Sequence, residues 1–224
     1  MEIKTPFVAT IVGKPGSGKS HLLKYILYNQ QCLDFYERFE IILVFCKTKF
    51  NHSYDWVPDE WVHSGYSARA IKNIMRIQAS IREQGLEPLP VALIFVDCLD
   101  AKLFNSQLFK DLIYNRRHYN ISMILTTQYL LGNVSTSQRE NSDLVFIFKQ
   151  FSANSIDGCY NAFGNLYFRD RNEFEQYMKR LDSHKFLMID TRANQKTVTC
   201  CPPDIPDPMI EPLATIPLAQ LRSI

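Results

Sequence analysis

The 224-residue sequence lacks any run of about 18 apolar residues, the length that a helix needs to cross the hydrocarbon core of a bilayer. Its first residues, Met-Glu-Ile-Lys-Thr-Pro, also lack the apolar stretch of a secretory signal peptide. We therefore expect a soluble protein that has no transmembrane segment and is not secreted.

The sequence also lacks cysteines at the spacings that are typical of metal sites. Its six cysteines stand at positions 32, 46, 98, 159, 200 and 201, without CxxC pairs or His-rich metal spacing. Several lie inside apolar runs, where cysteine behaves as a small buried hydrophobe. A reducing compartment without a metal framework is the favoured interpretation, and metal ligation by the adjacent pair at 200–201 is the alternative.

Excess charge of one sign is missing as well, since the formal net charge is only +2. Nucleic-acid binding through counterion release needs clustered Lys and Arg, which this balance does not indicate. The balance does not exclude it either, because a ring-shaped assembly can gather a few basic residues in its channel. We find no internal repeat.

Short apolar runs alternate with segments of helical spacing. The runs predict buried strands, because strands covered on both faces are nearly continuous in apolar character. Predicted strands are 7–12, 41–46, 91–97, 121–127, 144–148 and 185–190, and predicted helices are 19–30, 68–83, 102–117, 155–163 and 171–181. In the second helix Ile71, Ile74, Ile77 and Ile81 recur at three or four residues and share a face.

This alternation predicts an α/β fold with right-handed crossovers, a mostly parallel central sheet and helices on both sides. Residues 1–200 form the predicted domain. Residues 201–224 are a Pro-rich tail with six prolines before position 218. That tail is either an extended arm on the domain or a partner, or a disordered terminus.

A glycine-rich motif follows the first predicted strand: Gly13, Lys14, Pro15, Gly16, Ser17, Gly18, Lys19 and Ser20, with His21 next. The pattern Gly-x-x-x-x-Gly-Lys-Ser between a strand and a helix is a phosphate-binding loop (P-loop). Its glycines let backbone N–H groups form a nest for phosphate, and the helix adds its positive N-terminus. Lys19 can reach the β- and γ-oxygens of ATP, and the Ser20 hydroxyl can coordinate Mg²⁺.

The third predicted strand ends in Asp97. An apolar strand ending in Asp is the Walker B pattern, so Asp97 is expected to hold Mg²⁺ through water. Capping of the next helix is the alternative role. Hydrolytic enzymes of this branch usually carry a second carboxylate at the next position, where this sequence has Cys98. A thiol is a poor base at neutral pH, so Asp100 is a candidate substitute, or hydrolysis is slow.

Polar residues end the fourth predicted strand at Thr126, Thr127 and Gln128. A polar strand tip between the two phosphate-site strands can contact the γ-phosphate or the attacking water. Arg116 and Arg117 precede this strand, and Arg139 precedes the fifth. Each is either a solvated surface charge or an arginine finger offered to a neighbouring subunit.

Three segments together resemble a known family. They are Gly-Lys-Pro-Gly-Ser-Gly-Lys-Ser, then Ile-Phe-Val-Asp, then Arg-His-Tyr-Asn-Ile-Ser-Met-Ile-Leu-Thr-Thr-Gln. They resemble the genome-packaging ATPases of large double-stranded DNA viruses, in the FtsK–HerA group of RecA-like (ASCE) P-loop ATPases. The block Arg-His-x-Asn-Ile-Ser is the most specific, and the likeness spans roughly residues 6 to 191.

The resemblance implies ATP and Mg²⁺ as cofactors, Lys19 and Ser20 as nucleotide ligands, Asp97 as the metal-linked acid and Gln128 as the sensor. It makes Arg117 a trans-acting candidate. It also implies a pentameric or hexameric ring that threads double-stranded DNA, with viral capsid or portal-vertex proteins as partners. The expected location is the host cytoplasm or the virion. Cys98 departs from the family pattern, so the catalytic base is open.

DNA contacts are expected from the loop after the second predicted strand, where Lys47, Lys49 and His52 lie. A solvated loop is the alternative. The nearby Trp56 and Trp61 could stack on DNA, although packing is favoured for both.

Three other functions remain open at this stage. A cellular DNA translocase or helicase would share the same branch. A small-molecule kinase also uses the P-loop, but no arginine-bearing lid is evident. A non-hydrolysing nucleotide-binding scaffold gains weight from Cys98.

Overall fold

In the computed structural model the described residues are 5–28, 39–48, 54, 57–98, 103, 105–128, 130, 136–192 and 195–200. Among them, eight strands form one sheet. The strands are β1 Val8–Val12, β2 Ile41–Cys46, β3 Val62–Ser64, β4 Val91–Val96, β5 Ile121–Thr127, β6 Leu144–Phe148, β7 Lys185–Asp190 and β8 Gln195–Cys200. The helices are α1 Lys19–Tyr28, α2 Ala68–Glu83, α3 Gln107–Asn115, α4 Thr136–Asn141, α5 Ala153–Ala162 and α6 Arg171–Arg180, with short 3₁₀ turns at Asp59–Trp61 and Gly164–Leu166.

The strand order across the sheet is β3-β2-β4-β5-β1-β6-β7-β8. The first six strands in this order run parallel, and β7 and β8 are antiparallel to their neighbours. The predicted α/β fold with a mostly parallel sheet is therefore confirmed. Strand β5 lies between β1 and β4, so its tip separates the glycine-rich loop from the acidic strand end.

Two hydrophobic clusters cover the sheet, because successive side chains of a strand point to opposite faces. In β6, Leu144, Phe146 and Phe148 join the larger cluster with residues of α1, α2 and α3. Val145 and Ile147 join a second cluster, which α5 and α6 complete. This arrangement explains why β2, β4 and β6 are apolar at every position.

Four of the helices have a local signal for their start. Side-chain oxygens of Ser67, Ser106, Ser152 and Asp170 accept a hydrogen bond from a backbone N–H in the first turn of α2, α3, α5 and α6. Such caps satisfy N–H groups that the helix itself leaves unpaired. The predicted helix 68–83 is confirmed at both ends, while α3 occupies a shorter span than the predicted 102–117.

The apolar face of α2 contains one polar residue. Ile71, Ile74 and Ile81 are buried as predicted, and Gln78 is fully buried beside them. The Gln78 side-chain amide donates to the carbonyl oxygens of Leu89 and Tyr119, at 2.5 and 2.6 Å. Gln78 thus ties α2 to the loops that enter β4 and β5.

In the predicted division of the chain into a domain and a tail, the whole Pro-rich tail 201–224 lies outside the described residues.

Cys46, Cys98 and Cys159 are buried free thiols. Among the described residues, no helix is both long and apolar enough to cross a membrane.

Candidate nucleotide-binding site

The glycine-rich loop connects β1 to α1 at the carboxyl edge of the sheet. Gly13 N–H donates to the carbonyl oxygen of Thr127 on β5, at 3.1 Å. Gly16 and Gly18 have φ values of 74° and 103°, in the region that side chains with a Cβ rarely adopt. A methyl group on Gly16 would meet no atom within 4 Å. The loop is therefore an open backbone cradle at a helix N-terminus, which suits phosphate.

Lys19 is held inside this cradle. Its Nζ donates to the carbonyl oxygens of Gly13 and Lys14, at 2.7 and 3.3 Å, and lies 3.8 Å from Asp97 Oδ2. Burial lowers the pKa of the Lys19 ammonium, and the Asp97 carboxylate partly opposes that effect. The site thus holds a cation whose carbonyl contacts a phosphate could replace.

Asp97 follows β4 directly and has a left-handed φ of 45°. The strand therefore ends at Val96, one residue before the predicted end. Thr126 Oγ1 on the neighbouring strand accepts from Asp97 N–H at 3.2 Å and donates to Asp97 Oδ1 at 3.4 Å. Gln128 Nε2 donates to Asp97 Oδ2 at 3.4 Å. The carboxylate is thus fixed between the lysine and the tip of β5.

Cys98 is buried at the position where a second carboxylate was expected. It is 2% exposed, and burial raises the pKa of its thiol to about 12, with Cys46 nearby. The thiol is therefore protonated at neutral pH, which excludes it as a base there.

Tyr54 is a site residue that sequence analysis missed. A hydrogen bond joins its hydroxyl to the Ser20 side chain, and burial raises its pKa well above the ordinary value. Tyr54 is 6% exposed while Ser20 is exposed. No motif surrounds Tyr54, and the contact joins residues that are far apart in the chain, so local sequence could not reveal it.

The far wall of the cradle is formed by Phe148, at the end of β6, and His184, just before β7. A cavity of about 540 Å³ is lined by Gly16, Gly18, Lys19, Ser20, His21, Phe148 and His184. Lys14, on the rim, lies with its ammonium 4.0 Å from the centre of the Phe151 ring. Phe148 and His184 were not predicted, although the carboxyl end of a strand beside β1 is where ligands of open α/β sheets bind.

The three arginine candidates do not lie at this site. They precede β5 and β6, at the amino edge, and a seven-residue strand spans roughly 23 Å. Arg116 is neither a solvated surface charge nor an available arginine finger, so both expectations for it were wrong. It is 3% exposed, and its guanidinium donates to Ile113 O, Asn141 Oδ1 and Asp143 Oδ2. Arg117 is 68% exposed, 3.8 Å from Asp143 Oδ1, and Arg139 is half-buried on α4.

The block Arg-His-x-Asn-Ile-Ser forms a structural corner. Asn120 adopts a left-handed φ of 50° and its amide donates to Pro88 O at 3.0 Å. Ser122 Oγ accepts from Phe7 N–H at 3.2 Å. With Arg116 bound to Asp143, this block fastens the amino ends of β1, β4, β5 and β6.

The remaining candidates divide between described and undescribed residues. Lys47 is exposed at the end of β2, and its role in DNA contact stays a prediction. Trp61 is fully buried, so packing is confirmed for it. Asp100, Lys49, His52 and Trp56 lie outside the described residues.

A P-loop before α1, an acidic strand end and an intervening strand with a polar tip define a P-loop nucleoside-triphosphatase of the RecA-like branch. Residues 2–157 match the family described as Poxvirus A32 protein, and the chain belongs to that family.

Individual comparisons identify viral proteins of similar sequence. Protein 015R of Frog virus 3 (isolate Goorha) is 28% identical over 163 residues, covering 70% of this chain and 48% of that protein. The chain thus spans about half the length of this relative.

Among solved structures, the genome packaging NTPase B204 from Sulfolobus turreted icosahedral virus 2, in complex with ATP-gammaS, superposes with a TM-score of 0.63. It is 17% identical over 88% of this chain and 97% of that chain. The pCW3 conjugation coupling protein TcpA matches with a TM-score of 0.57 and 15% identity over 83% of this chain and 57% of that chain. At these identities the likeness shows the shared fold.

Proposed function

We propose that this chain hydrolyses ATP to drive double-stranded DNA into a viral capsid. The observation that carries the proposal is the convergence of Lys19, Asp97 and Gln128 at one cradle: Asp97 Oδ2 lies 3.8 Å from Lys19 Nζ and 3.4 Å from Gln128 Nε2. Membership of the Poxvirus A32 protein family supports it, as does the fold shared with a genome packaging NTPase.

The residues of the cradle suit a nucleoside triphosphate with its metal ion. The exposed Ser20 hydroxyl and the Asp97 carboxylate are the hard oxygen donors that Mg²⁺ prefers, and both lie beside the P-loop. Mg²⁺ held there would neutralise charge on the phosphate oxygens. Lys19 would exchange its two carbonyl acceptors for phosphate oxygens, which are the better partners for an ammonium.

Hydrolysis needs a water placed in line with the γ-phosphate, and most of the rate comes from positioning and electrostatics. Gln128 is the proposed residue for orienting that water, and the contact of its amide with the Asp97 carboxylate supports this role. Asp100 remains the candidate for accepting the proton of the attacking water.

We further propose that the protein works as a pentameric or hexameric ring, with the nucleotide between subunits. Exposed Arg117 supports this arrangement, since it lies at the edge of the sheet opposite its own P-loop and can act on a nucleotide only in trans. Lys47, exposed at the end of β2, is the described candidate for DNA contact. Capsid or portal-vertex proteins are the proposed further partners, and the virion or host cytoplasm the proposed location.

The experiment is steady-state ATP hydrolysis with and without linear duplex DNA. We expect turnover that DNA stimulates, and a loss of more than about 100-fold in Lys19→Ala because the phosphate charge is left unopposed. Lys72→Ala removes an exposed lysine from α2 and should leave the rate unchanged.

A non-hydrolysing nucleotide-binding scaffold is the second candidate, favoured by the buried Cys98 thiol where a carboxylate is expected. The same assay separates the two functions. ATP binding without turnover, in the presence of DNA and of assembled rings, would refute the motor and leave the scaffold.

A further inference from the structure

The cavity at the P-loop is lined by aromatic side chains as well as by phosphate-binding groups. Backbone of Gly16 and Gly18 lines one side, and the side chains of Phe148 and His184 line the other. Phosphate oxygens need N–H donors and cations, which the loop and Lys19 supply. Aromatic side chains instead suit the flat or apolar parts of a ligand.

His184 is held in a specific place. It adopts a left-handed φ of 65° in the turn before β7, and its Nδ1 lies 3.3 Å from the carbonyl oxygen of Ser17 in the P-loop. The contact spans 167 positions of the chain. It exists because β7 runs antiparallel to β6, with Phe186 paired to Phe148, so the start of β7 reaches the carboxyl edge of the sheet.

The hydrogen bond to Ser17 determines which ring nitrogen of His184 remains available to a ligand. A carbonyl oxygen can only accept, so Nδ1 must carry the proton in this bond. In the neutral imidazole Nε2 is then a bare acceptor. The cavity wall therefore offers an acceptor next to a loop whose other groups are donors.

Phe148 supports this wall from behind, as part of the core. It is 1% exposed, and its ring packs against Phe186 with centroids 5.3 Å apart. A methyl group added to Gly18 would lie 3.4 Å from both Phe148 Cε1 and His184 Nδ1. The ring and the imidazole thus meet at the last glycine of the loop.

We propose that Phe148 and His184 form the nucleoside subsite, in which His184 Nε2 accepts a hydrogen bond from the bound nucleoside. The donor is either the amino group of adenine or a ribose hydroxyl. This inference rests on the proposed nucleotide site and adds a statement about which base that site prefers. A contact to the adenine amino group would disfavour guanine, whose 6-oxo group is itself an acceptor.

The test compares ligands with and without a nucleoside. Binding of AMPPNP, GMPPNP and inorganic tripolyphosphate is measured by calorimetry on the full chain and on His184→Gly. Glycine is chosen because it tolerates the left-handed backbone. We expect AMPPNP to bind about 5- to 10-fold more weakly to the variant, as loss of one hydrogen bond predicts, and tripolyphosphate affinity to stay within about twofold.

Two further variants complete the design. His184→Asn should recover part of the affinity, because asparagine tolerates this φ and can both donate to Ser17 O and accept. His118→Ala removes an exposed imidazole at the amino edge of the sheet and should leave the affinity for every ligand unchanged.

The outcomes separate the possibilities. A loss confined to AMPPNP assigns the contact to adenine, and an equal loss for GMPPNP assigns it to ribose; both support the subsite. Equal weakening of tripolyphosphate would mean that His184 only braces the P-loop, and an unchanged AMPPNP affinity would mean that it touches nothing; both overturn it. The binding result is independent of turnover, so normal selectivity without hydrolysis would refute the motor and spare the subsite.

Discussion

Cys98 shows how burial decides the role of a single residue. Its position after Asp97 is where a catalytic carboxylate is expected, yet its thiol is 2% exposed and has a pKa raised to about 12. The environment that keeps the thiol neutral would oppose any ionised group there. The missing carboxylate is therefore not restored by substitution at this position alone.

For this reason we expect Cys98→Glu to lower the free energy of unfolding by about 3 kcal/mol or more, since it buries an unpaired carboxylate. We expect no gain in ATP turnover. Urea denaturation and the hydrolysis assay measure the two effects, with Cys98→Ser as the control of similar size. A faster and equally stable Cys98→Glu protein would show that the side chain can turn toward the nucleotide.

Arg116 and Arg117 are adjacent in sequence and opposite in environment. Arg116 is buried against Asp143, and burial lowers the pKa of its guanidinium while Asp143 opposes that shift. Arg117 reaches the same carboxylate from solvent. Asp143 also accepts from Val8 N–H at 2.7 Å, so the buried pair fastens the start of β1.

We predict that Arg116→Ala costs about 2–4 kcal/mol of stability, because it empties a buried site and removes the main partner of a buried carboxylate. Arg117→Ala should cost less than about 1 kcal/mol, as solvent-exposed ion pairs do. Denaturant titration of both variants checks the contrast. Similar small losses in both would contradict the structural role of Arg116.

At the scale of elements, α5 contacts the chain that leaves the tip of β5. A Cβ on Gly158 would collide with the carbonyl oxygen of Leu130, two residues beyond Gln128. Leu130 is itself 2% exposed. The helix therefore approaches this backbone as closely as a glycine permits, and it packs directly against Leu130.

We expect Gly158→Ala to destabilise the protein by about 1–2 kcal/mol. Alanine favours the helix by about 1 kcal/mol, but the collision is with backbone, and overpacking typically costs about 1–3 kcal/mol. Asn161→Ala, on the exposed side of α5, should be neutral or slightly stabilising. Thermal unfolding of the two variants distinguishes packing from propensity, and a stabilised Gly158→Ala would mean that Leu130 moves freely away.

At the scale of the whole molecule, the nucleotide cradle and the exposed arginine lie at opposite edges of the sheet. One subunit alone cannot bring them together, whereas a head-to-tail ring can. The proposed ring therefore predicts that one subunit supplies the nucleotide cradle and its neighbour supplies the exposed arginine.

Mixing inactive subunits tests that claim. Lys19→Ala lacks a working cradle and Arg117→Ala lacks the arginine, so each alone should hydrolyse little ATP. An equal mixture should recover up to about one quarter of the normal rate, the fraction of interfaces with both intact groups. Arg139→Ala in place of Arg117→Ala tests the other remaining arginine candidate in the same way. A mixture no more active than its parts would exclude Arg117 as the trans-acting group.

Local sequence determined the parts of this protein that depend on neighbouring residues. The bounds of β2, β5, β6, β7 and α2 match the predictions, because continuous apolar runs and a 3.6-residue period are local signals. The cradle and the strand ending at Asp97 were recognisable for the same reason, since each is one short segment. The polar strand end at Gln128 was predicted from its place directly after the fourth strand in the order of the elements.

Tertiary structure decided what depends on distant partners. The three-residue strand β3 and the strand β8 are too short or too polar to be recognised alone, and they exist through pairing with β2 and β7. Arg116 is buried because its guanidinium pairs with the carboxylate of Asp143, which lies on a distant segment of the chain. The antiparallel direction of β7 brings His184 to the P-loop, and strand direction is set by long-range hydrogen bonds that no local pattern contains.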